Sequence, residues 1–343
     1  MDNELTLYSK NKIIKLVSSM LKYYDKSEYK KEVVKAAHLL MDKVRYTDEE
    51  DITLESDFIE EILFVLNEDG TKSIVRDVYF ILRSIGANLE SVSFDNVHVA
   101  GYYFNGLKNV EINIQKIPNY DISNTFLEGV KITGTLNGAN IKQTNFTGYI
   151  GDLVLDPQLV QNKDLYFTKL NGITVNGSFD GVNISCMETE GFKGEIIINP
   201  QNVQNKDLWN VNFNGIHLVG DFDEKSGTYD DPCFDGCRLY ATSFKGCIGN
   251  IVIPLDKLYS SAPLCNFTGV KLTGKIKDYS LIFSSYYEDE NGKKIYLTCD
   301  KDNSEEPDVD EKNVDTLPQQ NTVSKNKSRK LTIIDRFNDK IKK

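Results

Sequence analysis

Histidine and cysteine are the residues of this chain best suited to acid–base chemistry, nucleophilic attack or metal binding, and neither type forms a recognisable motif. The three histidines are His38, His98 and His217, and no serine or cysteine lies beside His98 or His217 in a nucleophile motif. Cys233 and Cys237 form a CxxxC pair without the second His or Cys pair that a zinc site needs. No P-loop, GxGxxG or HExxH motif occurs. The sequence therefore predicts a non-enzyme without catalytic residues, cofactor or metal.

Carboxylates are concentrated in and around the segment DEKSGTYDD at 223–231. The whole chain has 40 basic and 51 acidic residues and a formal net charge of −11. This balance disfavours direct nucleic-acid binding, which requires basic side chains to replace counterions. The cluster is the candidate partner-binding site, and its residues are Asp221, Asp223, Glu224, Asp230, Asp231 and Asp235.

These residues lie in and beside a segment that interrupts an internal repeat, and the repeat must position them. Four segments align without gaps: GVKITGTL (129–136), GITVNGSF (172–179), GIHLVGDF (215–222) and GVKLTGKI (269–276). The first three begin 43 residues apart, whereas the fourth begins 54 residues after the third. The longer spacing arises because 223–231 interrupts the repeat, and its acidic, Gly-containing composition indicates a surface loop.

A shorter period of five residues lies inside the large repeat. A period of five fits neither a helix nor a flat strand, so the chain must turn a corner every five residues. Four such sides close a coil of about twenty residues, and coils stack at about 4.8 Å as a solenoid. His98 and His217 should face outward. The central residues should face inward, among them Phe94, Phe104, Phe146, Phe213, Phe244 and Phe267, and, after steps of four residues, Leu136, Phe179 and Phe222.

Pentapeptides such as ANLES, TNFTG and CNFTG resemble those of the pentapeptide-repeat family, and the resemblance covers 87–148, 163–191 and 206–283. It implies a right-handed quadrilateral parallel β-helix. Four Pro-containing inserts, near residues 115, 155, 198 and 253, depart from the pattern at the same position of the repeat. They predict a bulged corner or a short helical turn. The expected fold class is α+β: mainly a β solenoid, with an N-terminal four-helix domain.

The expected domains are a helical capping domain at 1–86, the solenoid at 87–299, an acidic disordered linker at 300–324 and a basic amphipathic helix at 325–343. Apolar periodicity predicts N-terminal helices at 11–24, 29–44, 56–67 and 73–86, the last of them plugging the end of the solenoid. This domain is expected to cap the solenoid, with or without homodimer formation, and the alternative is a dedicated partner-binding domain. At the other end, 279–299 predicts a final coil and a hairpin that turns at ENGK.

The C-terminal residues divide into an acidic and a basic segment. Residues 300–315 hold eight acidic and two basic side chains, and 325–343 hold eight basic and two acidic ones. Leu331, Ile334, Phe337 and Ile341 fall on one helical face. This helix is either solvated, and then folds back on the acidic segment, or docks on a protein or an anionic surface. Membrane contact is expected through this helix alone.

The sequence favours a non-catalytic scaffold that binds a protein partner. The absence of a signal-like or membrane-spanning apolar run favours the cytoplasm, with secretion without a cleaved signal as the alternative. The family resemblance implies two other functions: an acidic DNA mimic that binds a type II topoisomerase, or a bacterial effector delivered into host cells. Residues 87–283 carry 21 acidic and 15 basic side chains. Duplex DNA about 40 Å long would carry more than roughly twenty charges, so such mimicry requires clustering on one face.

Overall fold

The computed structural model describes residues 7–23, 30–47, 49–259, 262–274 and 282–297. Its described part combines four α-helices, which precede residue 86, with a β-solenoid of about eight coils, as the sequence predicts. The predicted acidic linker and basic C-terminal helix lie outside the described residues. The helices are α1 Lys10–Tyr23, α2 Lys30–Arg45, α3 Ser56–Leu63 and α4 Arg76–Ile85, and they alternate with the short strands β1 Leu7–Ser9, β2 Asp51–Thr53, β3 Phe64–Leu66 and β4 Lys72–Ile74.

The third and fourth helices are shorter than predicted. Residues Phe64–Leu66 and Lys72–Ile74 form an antiparallel hairpin in place of the end of one helix and the start of the next. Aromatic and β-branched residues favour strands, and the intervening turn is closed by Asp69, whose carboxylate accepts the Thr71 N–H. β4 also pairs in parallel with residues Val97–His98, so this hairpin extends the sheet of the first coil.

α4 lies against the first coil of the solenoid. Its Arg83 guanidinium donates hydrogen bonds of 2.7 and 2.6 Å to the carbonyl and side-chain oxygens of Asn105. The Tyr79 ring packs edge-on against Tyr102, with 5.0 Å between centroids, and against Phe104. These contacts cover the apolar end of the solenoid, which would otherwise meet water.

The solenoid strands are short and mostly parallel. They are β5 Val97–His98, β6 Glu111–Asn113, β7 Lys131–Thr133, β8 Val154–Leu155, β9 Thr174–Val175, β10 Lys193–Gly194, β11 Ile197–Ile198, β12 His217–Leu218, β13 Phe222–Asp223, β14 Thr228–Tyr229, β15 Val252–Pro254, β16 Lys271–Thr273, β17 Tyr286–Glu288 and β18 Lys294–Tyr296. β13–β14 and β17–β18 are antiparallel hairpins. The second of these hairpins confirms the turn predicted at ENGK.

Long and short coils alternate, which accounts for the 43-residue repeat. Phe126, Asn145, Lys169 and Glu188 pair in succession, so neighbouring coils contain 19 and 24 residues in turn. The strand of a short coil pairs with two different segments of the long coils beside it: β9 pairs with β8 on one side and with β10 on the other.

Each long coil contains a step between two strand segments. β10 pairs with β9 of the coil before it, and β11, three residues further on, pairs with β12 of the coil after it. Glycine is required where the step begins. A Cβ on Gly249 would lie 2.6 Å from the Leu218 carbonyl oxygen, and the residue has a φ of +133°.

The inward column confirms the five-residue pattern. Six of the Phe side chains predicted to face inward are at most 3 % exposed: Phe94, Phe104, Phe146, Phe213, Phe244 and Phe267. A second internal column consists of Thr, Ser and Cys. Its hydroxyls and thiol donate to buried carbonyls, as when Thr144 Oγ1 donates to Ile122 O at 2.7 Å. The column therefore satisfies backbone acceptors that water does not reach.

Three inward or outward predictions need correction. Phe222 was expected inside but is 53 % exposed, because the inserted hairpin carries it outward, and Phe234 fills the core instead. Leu272, another central residue of the five-residue pattern, should be fully inside but is partly buried. His217 should be exposed but is half-buried, since its ring approaches Glu195.

The Pro-containing inserts form short helical turns at one corner, as predicted. These 3-10 helices are Ile114–Lys116, Pro118–Tyr120, Gln161–Lys163, Gln204–Lys206 and Leu255–Lys257. Gln158 reaches from one insert to the next coil, where its amide donates to the carbonyls of Ser178 and Asp180 at 2.8 Å each. Gln201 makes the equivalent bonds to Cys233 and Asp235. No helix within the described ranges is both long and apolar enough to span a bilayer.

Candidate functional site

The acidic segment that interrupts the repeat forms an exposed hairpin on the solenoid wall. Phe222 pairs with Tyr229 and Asp223 with Thr228. The two aromatic rings lie 5.0 Å apart, and both are about half exposed. The hairpin is anchored to the wall because the Gly220 N–H donates to the Asp230 carbonyl. It therefore presents two aromatic rings to solvent from a fixed base.

The six candidate acidic residues do not converge on one point. Asp223, Glu224 and Asp230 lie along the hairpin, and a hydrogen bond from the Lys225 N–H holds the pKa of Asp223 below its ordinary value. Asp231 accepts a bond from the Asn250 amide at 2.9 Å. Asp235 lies past the hairpin, 3.6 Å from Lys257. Only Asp221 turns into a concave surface.

That surface, which we call the acidic groove, crosses three successive coils beside the hairpin. Its volume is about 550 Å³. Its lining includes the carboxylates of Asp180, Glu195 and Asp221 and the rings of Phe222 and Tyr229, and it contains no Lys or Arg among the described residues. The groove thus combines negative charge with apolar surface, which suits a cationic group on an extended chain.

Contacts within the wall position the groove carboxylates. The Gln158 bond to the Asp180 carbonyl fixes the backbone that carries that carboxylate. The Asn199 amide donates to Asp221 Oδ1 at 2.9 Å, and Asn199 Oδ1 in turn accepts the Gln201 N–H. Glu195 lies in the step between β10 and β11, with its Oε1 atom 3.6 Å from His217 Nε2.

The acidic residues elsewhere on the wall are arranged differently. Many of them form ion pairs with a basic residue on the neighbouring coil. These pairs are Asp95–Lys116, Glu111–Lys131, Asp164–Lys142, Glu188–Lys169, Asp207–Arg238 and Asp235–Lys257. Glu288 pairs with Lys245, which lies two coils away. A second groove of about 540 Å³ near the first coil is lined by both signs of charge, including Lys116 and Lys131. The acidic groove differs from these regions because no Lys or Arg lies in its described lining.

Sequence reasoning missed Asp180 and Glu195. Asp180 could have been found from its position in the 43-residue repeat. The segments NGSFD at 176–180 and VGDFD at 219–223 are 43 residues apart, so Asp180 is equivalent to Asp223. The two positions separate in space only because the hairpin follows the second segment. Glu195 carries no such signal, since it sits in a step that the five-residue pattern does not describe.

The described cysteines differ in burial. Cys237 and Cys265 are buried, and burial raises the pKa of each thiol to about 12. Cys233 is exposed, and Cys247 is half-buried rather than fully inside. No group of three or more His, Cys, Asp or Glu side chains within the described residues has the arrangement of a metal site. Cys299 lies outside those residues.

The chain was also compared with protein-family models, curated proteins and solved structures. None of the three comparisons gave a match.

Proposed function

We propose that this chain is a non-catalytic scaffold of the pentapeptide-repeat type, and that it binds an extended cationic segment of a partner protein in the acidic groove. The groove itself is the observation that carries the proposal. It has three carboxylates on successive coils, two exposed aromatic rings at one side and no basic side chain in its described lining.

The shape of the groove favours a protein segment over a small molecule. Carboxylates on neighbouring coils are about 4.8 Å apart along the solenoid, whereas alternate side chains of an extended peptide are separated by about 6.6 Å. Long Lys or Arg side chains accommodate that difference. The Phe222 and Tyr229 rings offer surfaces on which a cationic side chain can lie.

The paired wall charges weaken the alternative of a DNA mimic. A mimic of duplex DNA needs a dense, continuous array of negative charge. Here, ion pairs such as Glu111–Lys131 and Glu188–Lys169 place basic groups between the acidic ones along the solenoid. Binding of a short cationic segment needs only the charge of the groove.

A fluorescein-labelled peptide of alternating Lys and Gly tests the proposal in a fluorescence-anisotropy titration with the full chain. Glu195→Gln with Asp221→Asn should weaken binding by about 2- to 30-fold, because each exposed charge pair contributes about 0.2–1 kcal/mol. Glu128→Gln with Asp152→Asn removes the same two charges from exposed positions outside the groove and is the matched control. Equal affinity of the two double variants for the peptide would contradict the proposal.

A further inference from the structure

One corner of the solenoid turns through a left-handed residue in every coil. The residues at this corner, from the first coil to the last, are Gly101, Asn124, Gln143, Phe167, Cys186, Asn210, Ala241, Leu264 and Ser284, and all have φ between +53° and +84°. Gly and Asn adopt this conformation most readily. The corner therefore needs small or amide residues for folding, and most coils supply them.

Towards the C-terminal half, the outward side chains at this corner become apolar. The first three coils place Ala100, Ser123 and Lys142 just before the left-handed residue. The next two coils place Tyr166 and Ser185 there, and the last four coils place an aromatic or Pro residue there. We call the resulting surface the corner stripe, and its residues are Trp209, Tyr240, Pro263, Leu264 and Phe283.

The stripe is continuous from coil to coil. Asn210 N–H donates to the Tyr240 carbonyl, Ala241 N–H to the Pro263 carbonyl and Leu264 N–H to the Phe283 carbonyl. The four levels therefore stack in register, and span about 14 Å along the solenoid. Tyr240, Leu264 and Phe283 are 40, 43 and 49 % exposed.

Leu264 is the most informative residue of the stripe. A bulky side chain in the left-handed region is strained, by roughly 1–2 kcal/mol. Asn124 and Asn210 occupy equivalent corners with less strain, and the Leu264 side chain is not needed in the core, because it points into solvent. Phe167 has the same backbone conformation at an equivalent corner outside the stripe, so the strain supports a contact at Leu264 only together with the apolar side chains on the levels beside it.

We propose that the C-terminal segment 325–343 of the same chain covers the corner stripe. Leu331, Ile334, Phe337 and Ile341 share one face when the segment is helical. The eleven residues from Leu331 to Ile341 would then extend about 15 Å from the first to the last, which matches the length of the stripe. An apolar helical face and an apolar stripe of equal length would each be buried by the other.

The path of the chain places the segment within reach. Leu297, the last described residue, donates its N–H to the Ser285 carbonyl at 2.9 Å, next to Phe283 at the end of the stripe. Residues 298–324 separate this point from the segment. A random-coil chain of that length would have a root-mean-square end-to-end distance of about 28 Å, twice the stripe length. The segment can therefore dock without rearrangement of the solenoid, on a surface separate from the acidic groove.

The test uses the full chain, because Trp209 is its only tryptophan and reports on the stripe. Ile334→Asp should shift the docking equilibrium by about 10- to 100-fold, the effect of losing one buried aliphatic side chain. Acrylamide quenching of Trp209 should increase, and tryptic cleavage within 325–343 should accelerate in proportion. Thr332→Asp adds the same charge on the opposite helical face and should change neither measurement.

A variant on the solenoid completes the test without disturbing the fold. Leu264→Asn places at this corner the residue found at Asn124 and Asn210, so the chain should fold while releasing the segment as Ile334→Asp does. Unchanged quenching and cleavage in both Ile334→Asp and Leu264→Asn would overturn the proposal. If Trp209 quenching depends on protein concentration, a second copy of the chain covers the stripe, and this result would also overturn the proposal.

Discussion

Phe244 occupies the centre of the solenoid's aromatic column, and its truncation gives the sharpest test of the core. Its ring centroid lies 5.4 Å from Phe213, 5.6 Å from Phe234 and 5.9 Å from Phe267. The side chain has no measurable exposure. We expect Phe244→Ala to lower the free energy of unfolding by about 3–5 kcal/mol, because Phe truncation in a core removes buried area and leaves a cavity.

The consequence should spread along the solenoid. Each coil contacts only its neighbours, so a cavity between the Phe213 and Phe267 levels weakens the coupling of the coils on either side. Urea unfolding monitored by far-UV circular dichroism gives the total loss. Trp209 fluorescence, measured in the same titration, reports the coils just before the cavity.

Phe222→Ala is the matched control, since the five-residue pattern places both Phe residues inside. The structure instead places Phe222 on the hairpin, 53 % exposed. Its truncation should cost less than about 1 kcal/mol, as for most exposed positions. Equal losses for the two variants, or a loss below about 1 kcal/mol for Phe244→Ala, would refute the assignment of the core.

Two further outcomes follow from the geometry. Gly249→Ala should cost about 3 kcal/mol or more in urea unfolding, because the new Cβ meets a carbonyl oxygen at 2.6 Å and φ is +133°. Gly227→Ala, at φ +71° with open space around it, should cost only about 1–2 kcal/mol, and a larger loss there would contradict the clash argument. Iodoacetamide at pH 8 should label exposed Cys233 and spare Cys265, whose pKa of about 12 keeps the thiol protonated, as mass spectrometry of the native protein would show. Equal labelling of the two thiols would mean that Cys265 is not buried.

Much of the solenoid could be predicted from the sequence because the inward positions follow a single rule. Every fifth residue is large and apolar, and residues such as Phe104 and Phe213 have no other place to be buried. The Pro-containing inserts were predictable for a related reason. All four inserts interrupt the five-residue period at the same position of the large repeat, so they must lie at the same corner of the solenoid.

The wrong predictions occur where local strand or hairpin formation competes with the periodic sequence pattern. Phe222 satisfies the five-residue rule, but the nine residues after it form a hairpin that takes it out of the wall, and Phe234 restores the core. The third helix ends early because Phe64 and Val65 gain strand pairing with Ile74 and Ser73. Period alone does not decide between a helix end and a strand when the residues suit both.

The acidic groove could be predicted only in part, because outward residues are free of the folding rule. Asp221 was identified through the density of charge in its neighbourhood. Asp180 and Glu195 were missed, since their proximity to Asp221 depends on how the 19- and 24-residue coils stack. A carboxylate on an outer wall looks the same in sequence whether a basic residue on the next coil pairs with it or not.

The freedom of the outer wall also determines which residues carry functional information. Folding alone accounts for a polar, outward-facing residue at a left-handed corner, so such a residue gives no information about a partner. Leu264 disagrees with those needs, and so does Phe222, which leaves the core for solvent. Natural sequences are locally consistent except where function opposes folding. These two residues lie on different surfaces, the corner stripe and the edge of the acidic groove, which are the two surfaces for which we propose binding.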